Sequence, residues 1–519
     1  MNTKIYNKGF CNTCGKLVPA NREQRDNLIY LVKDCPDCGK TETLISTDAE
    51  RYSRKRELDT RKDSIACELN CVQCNHNKPN IVFLDITNRC NLNCYICINN
   101  TPSMGFLFDP PIEYFDKIFE HFSKFDPKPS IQLFGGEPTV RKDLFDIIKL
   151  GRSYGLTLRV TTNGIKLADE DYCRKLVDTH STLLVAYDGD NREVYTHYRG
   201  DGDMLDKKVQ ALDNIEKIGK AKVVIMSLVA RGYNDKSLPE LFQFCHDRRK
   251  TIRGLYLMPL AETSEDMKGQ FKERITTEDI EKIMDESFPE DSINFMPAGF
   301  LGEMSTMMKY LKMKPVPFTG AHPNCESLYL LVSDGEKYVP IERYLKGTLD
   351  DMCRDLLQVE KNMKKKVDNY DRTILGRIFR SEKMKNRILY MKAFKAMIGV
   401  IWRNFDLGKT LKGNGPGKIG HFLGLLFGIL TGKKSRIIFD RHLRFQKVMQ
   451  IIILPFEDDR NLETERLSRC PAAFAFWNPD NDKVQYVPVC AWNHFKDKIM
   501  KNIVKHYEQE PAETTSAPH

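Results

Sequence analysis

The chain of 519 residues contains no run of 18 apolar residues, and it therefore predicts no membrane-spanning helix. Its first residues are polar and lack the apolar stretch of a secretory signal. Sixteen cysteines without such a signal argue against a disulfide-rich secreted domain and favour metal-binding thiolates in a reducing compartment. Ten of them lie within the first 97 residues. We therefore expect a cytoplasmic metalloprotein.

Acidic side chains are scarce between residues 361 and 436, where nineteen Lys and Arg accompany four Asp and Glu. This segment predicts an acidic partner, such as phospholipid headgroups, nucleic acid or a phosphorylated cofactor, or else an ordinary solvated helical face. Residues 419–430 are apolar and rich in glycine, but they are too few to span a bilayer. They predict either a buried helix over the active site or a helix in the headgroup plane, which would make a peripheral membrane contact.

Cys90, Cys94 and Cys97 stand at C-x3-C-x2-C spacing directly after an apolar stretch that predicts a buried strand. Soft thiolates at such short intervals suit an iron–sulfur cluster or zinc. A [4Fe–4S] cluster held by three thiolates leaves one iron open to a substrate or cofactor. The alternative is a zinc knuckle completed by a distant ligand.

Short apolar stretches alternate with amphipathic helices from residue 80 to about residue 275, which predicts a parallel sheet. The predicted strands are 82–87, 130–134, 157–162, 182–187, 222–229 and 254–258. The predicted helices are 112–125, 140–154, 169–178, 205–218 and 237–248. Polar and glycine-rich motifs follow several strands, at the sheet edge where active sites of such folds lie. They contain Gly135, Gly136, Glu137 and Pro138, then Thr162 and Asn163, then Asp188, Ser227 and Arg231.

Two Cys-x-x-Cys-Gly knuckles near the N-terminus contribute Cys11, Cys14, Cys35 and Cys38. Four thiolates predict one tetrahedral site for zinc or for a single rubredoxin-like iron. Such a site either folds a small domain or, with iron, passes electrons. A second C-x3-C-x2-C triplet precedes the first core strand, and we interpret it as three ligands of an auxiliary [4Fe–4S] cluster, with zinc completed by His76 as the alternative. The triplet is Cys67, Cys71 and Cys74.

The cysteine triplet of residues 90–97, followed one βα unit later by Gly-Gly-Glu-Pro, resembles the signature of the radical S-adenosylmethionine (radical SAM) superfamily. This resemblance implies that the open iron chelates SAM and that the Gly-Gly-Glu-Pro motif binds its methionine amino group. It also implies that the Thr162–Asn163 turn contacts the ribose. Ser227 and Arg231 then become candidate contacts to SAM, although they equally suit strand-end caps. Ile96 departs from the aromatic residue common before the third cysteine.

The whole arrangement is similar to one subgroup, the archaeal tetraether lipid synthases and the methanopterin-methylating radical SAM proteins. By that resemblance Cys325, Cys470 and Cys490 are ligands of a further auxiliary cluster, the alternative being three separate buried thiols. We take Cys173, Cys245 and Cys353 to be structural, with Cys353 also a candidate ligand.

The resemblance implies an α/β fold: a partial (β/α)6 radical SAM barrel between a rubredoxin-like or zinc-ribbon-like domain and a C-terminal α+β auxiliary-cluster domain. The predicted boundaries are residues 1–60, an auxiliary Fe–S segment at 61–79, the core at 80–275, the covering domain at 276–507 and a disordered tail at 508–519.

The leading functional expectation is activation of an sp3 C–H bond of a lipid chain for carbon–carbon coupling, with a ferredoxin or flavodoxin as reducing partner. The first alternative is a methyltransferase of a pterin or other small substrate. The second is a non-enzymatic zinc protein that binds nucleic acid, whereas the leading interpretation expects no nucleic acid partner.

Overall fold

The structure is a computed structural model of the chain, described for residues 7–61, 67–69, 78–101, 104–263, 273–313, 317–430 and 435–509. A small antiparallel sheet of four strands opens the chain. Its strands are β1 (Lys8–Phe10), β2 (Leu17–Arg25), β3 (Leu28–Cys35) and β4 (Gly39–Ser46). The four cysteines of the two knuckles lie at the β1–β2 and β3–β4 turns. Helix α1 (Ala49–Glu57) follows, and the Asp48 side chain caps it by accepting from the Arg51 N–H.

Six strands alternate with helices in the central part of the chain, which confirms the predicted βα repeat. The strands are β5 (Ile81–Thr87), β6 (Ser130–Gly135), β7 (Thr157–Thr162), β8 (Thr182–Ala186), β9 (Lys222–Val229) and β10 (Ile252–Pro259). The helices are α2 (Ile112–Ser123), α3 (Leu144–Ser153), α4 (Glu170–Asp178), α5 (Arg192–Arg199), α6 (Met204–Ile218) and α7 (Leu238–Asp247). Helix α5 had no counterpart among the predicted helices.

The C-terminal extension is mixed helix and strand. Its helices are α8 (Thr277–Ser287), α9 (Ser305–Leu311), α10 (Leu349–Asp368), α11 (Ile374–Ile378), α12 (Glu382–Asn404), α13 (Leu407–Thr410), α14 (Pro416–Leu430), α15 (Ser435–His442), α16 (Thr464–Leu467) and α17 (Trp492–Gln509). Its strands are β11 (Met296–Pro297), β12 (Ser327–Ser333), β13 (Tyr338–Pro340), β14 (Val448–Ile453), β15 (Ala472–Asn478) and β16 (Lys483–Pro488).

Two strands of the extension join the central sheet at opposite edges. Strand β14 pairs parallel with β10, and β15 pairs parallel with β5. Eight successive strands are therefore parallel, two more than the six predicted, with antiparallel strands outside them. The strands are apolar on both faces, as in a parallel sheet covered by helices: Ile81, Val82, Leu84 and Ile86 are at most 1% exposed.

The N-terminal sheet packs against a late segment of the extension. The Asn7 side-chain amide donates to Glu463 Oε2 at 2.8 Å, and Arg22 forms an ion pair with Glu463 at 2.7 Å. Lys33 donates to the Arg460 carbonyl. The Phe10 ring stacks on His494 of α17, with ring centroids 4.7 Å apart. The two ends of the described chain thus meet in one interface.

Lys55 of α1 fixes the linker helix to the extension. Its ammonium is 2.7 Å from Glu278 and 2.8 Å from Glu281, and it donates to Ser327 Oγ at 3.0 Å. Burial alone would lower the pKa of Lys55, but the two carboxylates outweigh burial and raise it. The charge is therefore retained inside the protein, where it offsets two buried carboxylates.

We predict that Lys55→Met lowers the free energy of unfolding by about 3–5 kcal/mol, because it leaves two buried carboxylates without their cation. Denaturant unfolding followed by circular dichroism measures the loss. Lys217→Met is the matched control, since Lys217 and Glu170 form an exposed pair and its unfolding curve should match that of the wild type. Equal curves for both variants would contradict the prediction.

Candidate active site and metal sites

The cysteine triplet of residues 90–97 lies on the loop after β5, at the carboxyl edge of the parallel sheet. All three thiols line one cavity of about 1530 Å³, including its open mouth. Cys90 is exposed as a residue, whereas Cys94 and Cys97 are half-buried. The protein packed around the Cys90 sulfur desolvates it and raises its pKa to about 12. A thiol with so high a pKa becomes a thiolate only when a metal replaces its proton, so the donor set suits a cluster better than a free nucleophile.

Gly135 and Gly136 allow the backbone at the end of β6 to approach the cysteine loop closely. The Gly136 N–H donates to Thr87 O at 2.7 Å, and the Glu137 N–H donates to Arg89 O at 2.8 Å. A Cβ on Gly135 would lie 2.2 Å from Thr87 O, and one on Gly136 would lie 2.2 Å from Arg89 O. Only glycine fits either position, and the pair also lines the cavity.

The Glu137 carboxylate is buried and joins the Gly-Gly-Glu turn to the end of β7. It accepts from Thr139 Oγ1 at 2.6 Å, from Thr162 Oγ1 at 2.7 Å and from the Asn163 N–H at 2.6 Å. Thr162 and Asn163 line the cavity beside it. The structure therefore brings together five of the predicted SAM-binding residues around the cysteine loop: Gly135, Gly136, Glu137, Thr162 and Asn163.

Four other predicted SAM contacts lie outside the cavity lining. Pro138 is buried at the start of a 3-10 turn, and Arg231 forms an ion pair with Asp279 at 2.9 Å. Ser227 is buried, and its hydroxyl has no hydrogen-bond partner among the residues described. Asp188 is also buried and forms an ion pair with Arg199 at 2.8 Å. Their contact with SAM stays a prediction.

Arg199 is a cavity residue that the sequence reasoning did not single out. Burial opposes the charge, but Asp188 outweighs burial and raises the pKa of Arg199. Its Nη1 lies 3.9 Å from Cys94 Sγ, which places a fixed positive charge beside a cluster ligand. The sequence shows Arg199 directly before Gly200, the residue that ends α5. Only the fold shows that this arginine faces the cavity.

Cys325, Cys470 and Cys490 line the same cavity as the first triplet, although they come from separate loops of the extension. Arg466 donates to Cys325 Sγ at 3.6 Å, and the Glu457 N–H donates to Cys490 Sγ at 3.5 Å. Burial raises the pKa of each of the three thiols. All three are soft donors that line one space, and their assignment to an auxiliary cluster stays a prediction.

The N-terminal cysteines form a compact metal site. The sulfurs of Cys11, Cys14, Cys35 and Cys38 all lie within 4.8 Å of one another, and Cys14 Sγ is 3.7 Å from Cys35 Sγ. A tetrahedron with metal–sulfur bonds of ~2.3 Å has edges of about 3.8 Å, so the set fits one metal ion. Hydrogen bonds from the backbone N–H groups of Cys14 and Thr13 lower the pKa of Cys11 to about 6, which favours a thiolate ligand.

The remaining cysteines fall into two groups, the triplet before β5 and three cysteines on helices. Cys67 is buried, whereas Cys71, Cys74 and His76 lie outside the described residues. Cys173, Cys245 and Cys353 are buried on helices and do not line the cavity. Cys353 Sγ lies 3.9 Å from the thioether sulfur of Met296.

The sequence comparisons agree with this geometry. Residues 84–245 match the profile of the radical SAM superfamily, a range that contains the cysteine loop, the Gly-Gly-Glu turn and strands β6–β9. The protein is a radical SAM enzyme. Residues 6–47 match the "HMPTM N-terminal zinc ribbon domain", which favours zinc over a rubredoxin-like iron. The enzyme assignment overturns the alternative of a non-enzymatic zinc protein.

Several known proteins resemble this radical SAM enzyme. The chain is 29% identical to 7,8-dihydro-6-hydroxymethylpterin dimethyltransferase of Methanocaldococcus jannaschii over 93% of its own length and 92% of that protein. It is 34% identical to GTP 3',8-cyclase of Nautilia profundicola over only 25% of its length and 40% of the cyclase.

The alignments with solved structures have low TM-scores. A tagged form of anSMEcpe with bound AdoMet gives a TM-score of 0.36 at 16% identity, over 62% of this chain and 97% of that one. Streptococcus suis SuiB bound to its precursor peptide SuiA gives 0.35 at 14% identity, over 53% and 72%. Scores this low say nothing about substrate.

Among the described residues of this radical SAM enzyme, none of the helices combines the length and the apolar character needed to span a membrane.

We predict that Cys11→Ala removes one equivalent of zinc and leaves cluster iron unchanged, because the ribbon is a separate four-thiolate site. Metal analysis of anaerobically purified protein measures both elements. Cys173→Ala, which removes a thiol outside every proposed metal site, is the control and should retain the zinc. Retention of zinc by Cys11→Ala would contradict the assignment of the site.

We predict that Gly136→Ala lowers 5'-deoxyadenosine formation about a hundredfold, because the new methyl group displaces the cysteine loop from the Gly-Gly-Glu turn. Gly417→Ala is the control, since a Cβ there meets nothing within 4 Å. The assay is reductant-dependent SAM cleavage followed by chromatography. Wild-type rates for Gly136→Ala would show that the close approach is dispensable.

Proposed function

We propose that this enzyme methylates a carbon atom of a pterin-type substrate. The observation that carries the proposal is the similarity to the Methanocaldococcus jannaschii pterin dimethyltransferase, which extends over 93% of this chain and 92% of that protein. A similarity of this extent reaches well beyond the radical SAM core, into both the N-terminal ribbon and the C-terminal extension. A likeness of the radical SAM core alone would say little about the substrate.

The cavity suits SAM-dependent radical chemistry on a bound organic molecule. Cys90, Cys94 and Cys97 would hold a [4Fe–4S] cluster, with the Gly-Gly-Glu turn beside it for the methionine end of SAM. When bound, the cluster and SAM together supply a 5'-deoxyadenosyl radical that removes hydrogen from an unactivated C–H bond. The walls facing this space are largely apolar and exclude water from the reaction: Phe83, Ile96, Phe134, Leu184 and Met226.

We further propose that Cys325, Cys470 and Cys490 hold an auxiliary [4Fe–4S] cluster at the wall of the cavity formed by the extension. The support is their shared exposure to the cavity and the neighbouring Arg466 guanidinium, which compensates negative charge on buried sulfur. The Cys67, Cys71 and Cys74 triplet remains a proposal for a second auxiliary cluster. A reduced ferredoxin or flavodoxin would supply the electrons.

A lipid substrate remains a second candidate because the cavity walls are so apolar. In that case the enzyme would couple two hydrocarbon chains and the product would lose two hydrogen atoms per new bond. Neither of the relatives described above is a lipid enzyme by name. Pterin methylation is therefore the better supported of the two.

We predict that the reduced enzyme converts 7,8-dihydro-6-hydroxymethylpterin to a product heavier by one CH2 for each methyl group added, with pterin-dependent formation of 5'-deoxyadenosine. High-resolution mass spectrometry measures both products. Parallel reactions contain either phospholipid vesicles or no added substrate. Methyl-labelled SAM shows whether its methyl group enters the pterin. Cys94→Ala should abolish both products because it removes a cluster ligand.

The result that would overturn the proposal is 5'-deoxyadenosine formation that responds to lipid and not to pterin. Lipid product with two fewer hydrogen atoms would then assign the coupling reaction. A methylated pterin without label from SAM would retain the proposed reaction and assign the methyl donor to another compound.

A further inference from the structure

Apart from Glu137 of the Gly-Gly-Glu turn, two charged side chains line the active-site cavity without an ion-pair partner among the described residues. They are Arg159 on β7 and Glu326 just before β12, and both line the cavity whose other walls are mainly apolar. Arg159 is 6% exposed and Glu326 is 8% exposed. Burial disfavours the charged form of either side chain, so a donor for Glu326 and an acceptor for Arg159 in the cavity would stabilise both charges.

Arg159 projects from the middle of the sheet beside Gln132. The two residues are directly paired in the β6–β7 register, and Gln132 donates to Thr161 Oγ1 at 2.9 Å. Arg159 reaches the Tyr256 hydroxyl only at 3.5 Å, and it has no ion pair with any described residue. Its guanidinium can therefore donate to an acceptor inside the cavity.

Glu326 stands at the carboxyl edge of the sheet. The next residue, Ser327, pairs with Ile453 at the end of β14, and Leu257 of β10 pairs with the other side of Ile453. The Glu326 Oε2 atom is buried and has no hydrogen-bond partner in the described part of the chain. The neighbouring Arg466 guanidinium forms its ion pair with Glu457 instead, at 2.8 Å. One oxygen of the Glu326 carboxylate is thus without a donor among the described residues.

We propose that these two side chains hold the 2-amino-4-oxopyrimidine ring of the substrate, with Glu326 accepting from its ring N–H and exocyclic amino group. Arg159 donates to the ring carbonyl. A carboxylate and a guanidinium on one cavity match the donor edge and the acceptor oxygen of this ring, whereas a hydrocarbon chain would leave both charges uncompensated. This inference rests on the proposed pterin substrate and adds the residues that select it.

The test compares two ligands with one variant at each position. Pterin fluorescence titrations of anaerobic, cluster-loaded protein give dissociation constants for 6-hydroxymethylpterin and for the 2-oxo analogue, 6-hydroxymethyllumazine. Glu326→Gln should weaken pterin binding about tenfold to a hundredfold and change lumazine binding much less. Arg159→Gln should weaken both ligands, since both carry the 4-oxo group. Glu360→Gln removes a buried carboxylate outside the cavity and should change neither constant.

The outcomes separate this inference from the function it depends on. If wild-type protein binds no pterin, the proposed function fails and this inference fails with it. If wild type binds pterin and Glu326→Gln binds it equally well, only the present inference is overturned. Loss of iron from Glu326→Gln, with the other variants keeping theirs, would instead identify Glu326 as a cluster ligand and also overturn it.

Helix α14 is an independent feature of the surface: Gly424 and Gly428 face the protein, whereas three of its large apolar side chains are exposed. A Cβ on Gly424 would lie 2.4 Å from His442, and one on Gly428 would lie 2.9 Å from Ile438. Ile419, Leu423 and Phe427 follow at intervals of four residues, so they form one stripe. They are 64%, 59% and 61% exposed.

We also infer that this stripe docks on an anionic lipid bilayer. Charge complementarity supports that occupant, because the surrounding segment 361–436 contains nineteen Lys and Arg against four Asp and Glu. Lys395 and Lys409 lie within it and are exposed, whereas Arg403 forms an ion pair with Asp355. An apolar helix face within a cationic segment is typical of helices that lie in the headgroup plane, with lysine stems in the apolar layer and ammonium groups at the phosphates.

Cosedimentation with vesicles of phosphatidylcholine and phosphatidylserine tests the docking. Wild type should bind vesicles with about 30% phosphatidylserine at least about tenfold more tightly than pure phosphatidylcholine, and high salt should weaken the binding. Leu423→Asp with Phe427→Asp should abolish binding, whereas Met313→Asp, at another exposed apolar side chain, should not. Equal binding by the double variant would overturn the inference. A wild-type dimer that the double variant converts to a monomer would also overturn it, by assigning the stripe to a second copy.

Discussion

The active site depends on how closely two backbone segments can approach. Thr87 O and Arg89 O of the cysteine loop accept hydrogen bonds from the backbone that begins at Gly136. No side chain fits between them, because a single Cβ would come within 2.2 Å of a carbonyl oxygen. This contact fixes the cysteine loop relative to the Gly-Gly-Glu turn, the two segments that we expect to hold the cluster and SAM. The parallel sheet supplies the frame by delivering both segments to one edge.

Charged side chains around the cavity are also held in defined positions. Positive groups stand beside two cysteine sulfurs of the cavity, Arg199 near Cys94 and Arg466 near Cys325. Both guanidinium groups are themselves held in place by ion pairs with buried carboxylates, Asp188 and Glu457. In contrast, the two charges that we assign to the substrate face the cavity without such partners in the described part of the chain.

Much of this arrangement could be predicted because its signals are local. Strands β7 and β9, for example, have the predicted boundaries. The Cys90 triplet and the Gly-Gly-Glu turn are spacing motifs, which need no knowledge of distant contacts. Helix α5 was missed because it is short and polar, with five of its eight residues polar or charged and at exposed or half-exposed positions.

The features that could not be predicted depend on pairing between strands that are far apart in the sequence. Nothing in the residues of β15 shows that it lies parallel to β5, with Ala472 paired to Ile81. The same holds for β14, which joins β10 from a distant part of the chain. Arg159 and Glu326 carry no motif, and their importance appears only when the sheet and the extension enclose one cavity.

The interface between the two ends of the chain also sets an order of events during synthesis. Asn7 and its partner Glu463 are 456 positions apart. At ~5–20 residues per second, a ribosome takes roughly 20 to 90 s to cover that distance. For this interval the ribbon and the cysteine loop already exist, while the wall with Cys470 and Cys490 does not. The ribbon and the cysteine loop are therefore synthesised before the residues that complete the cavity wall.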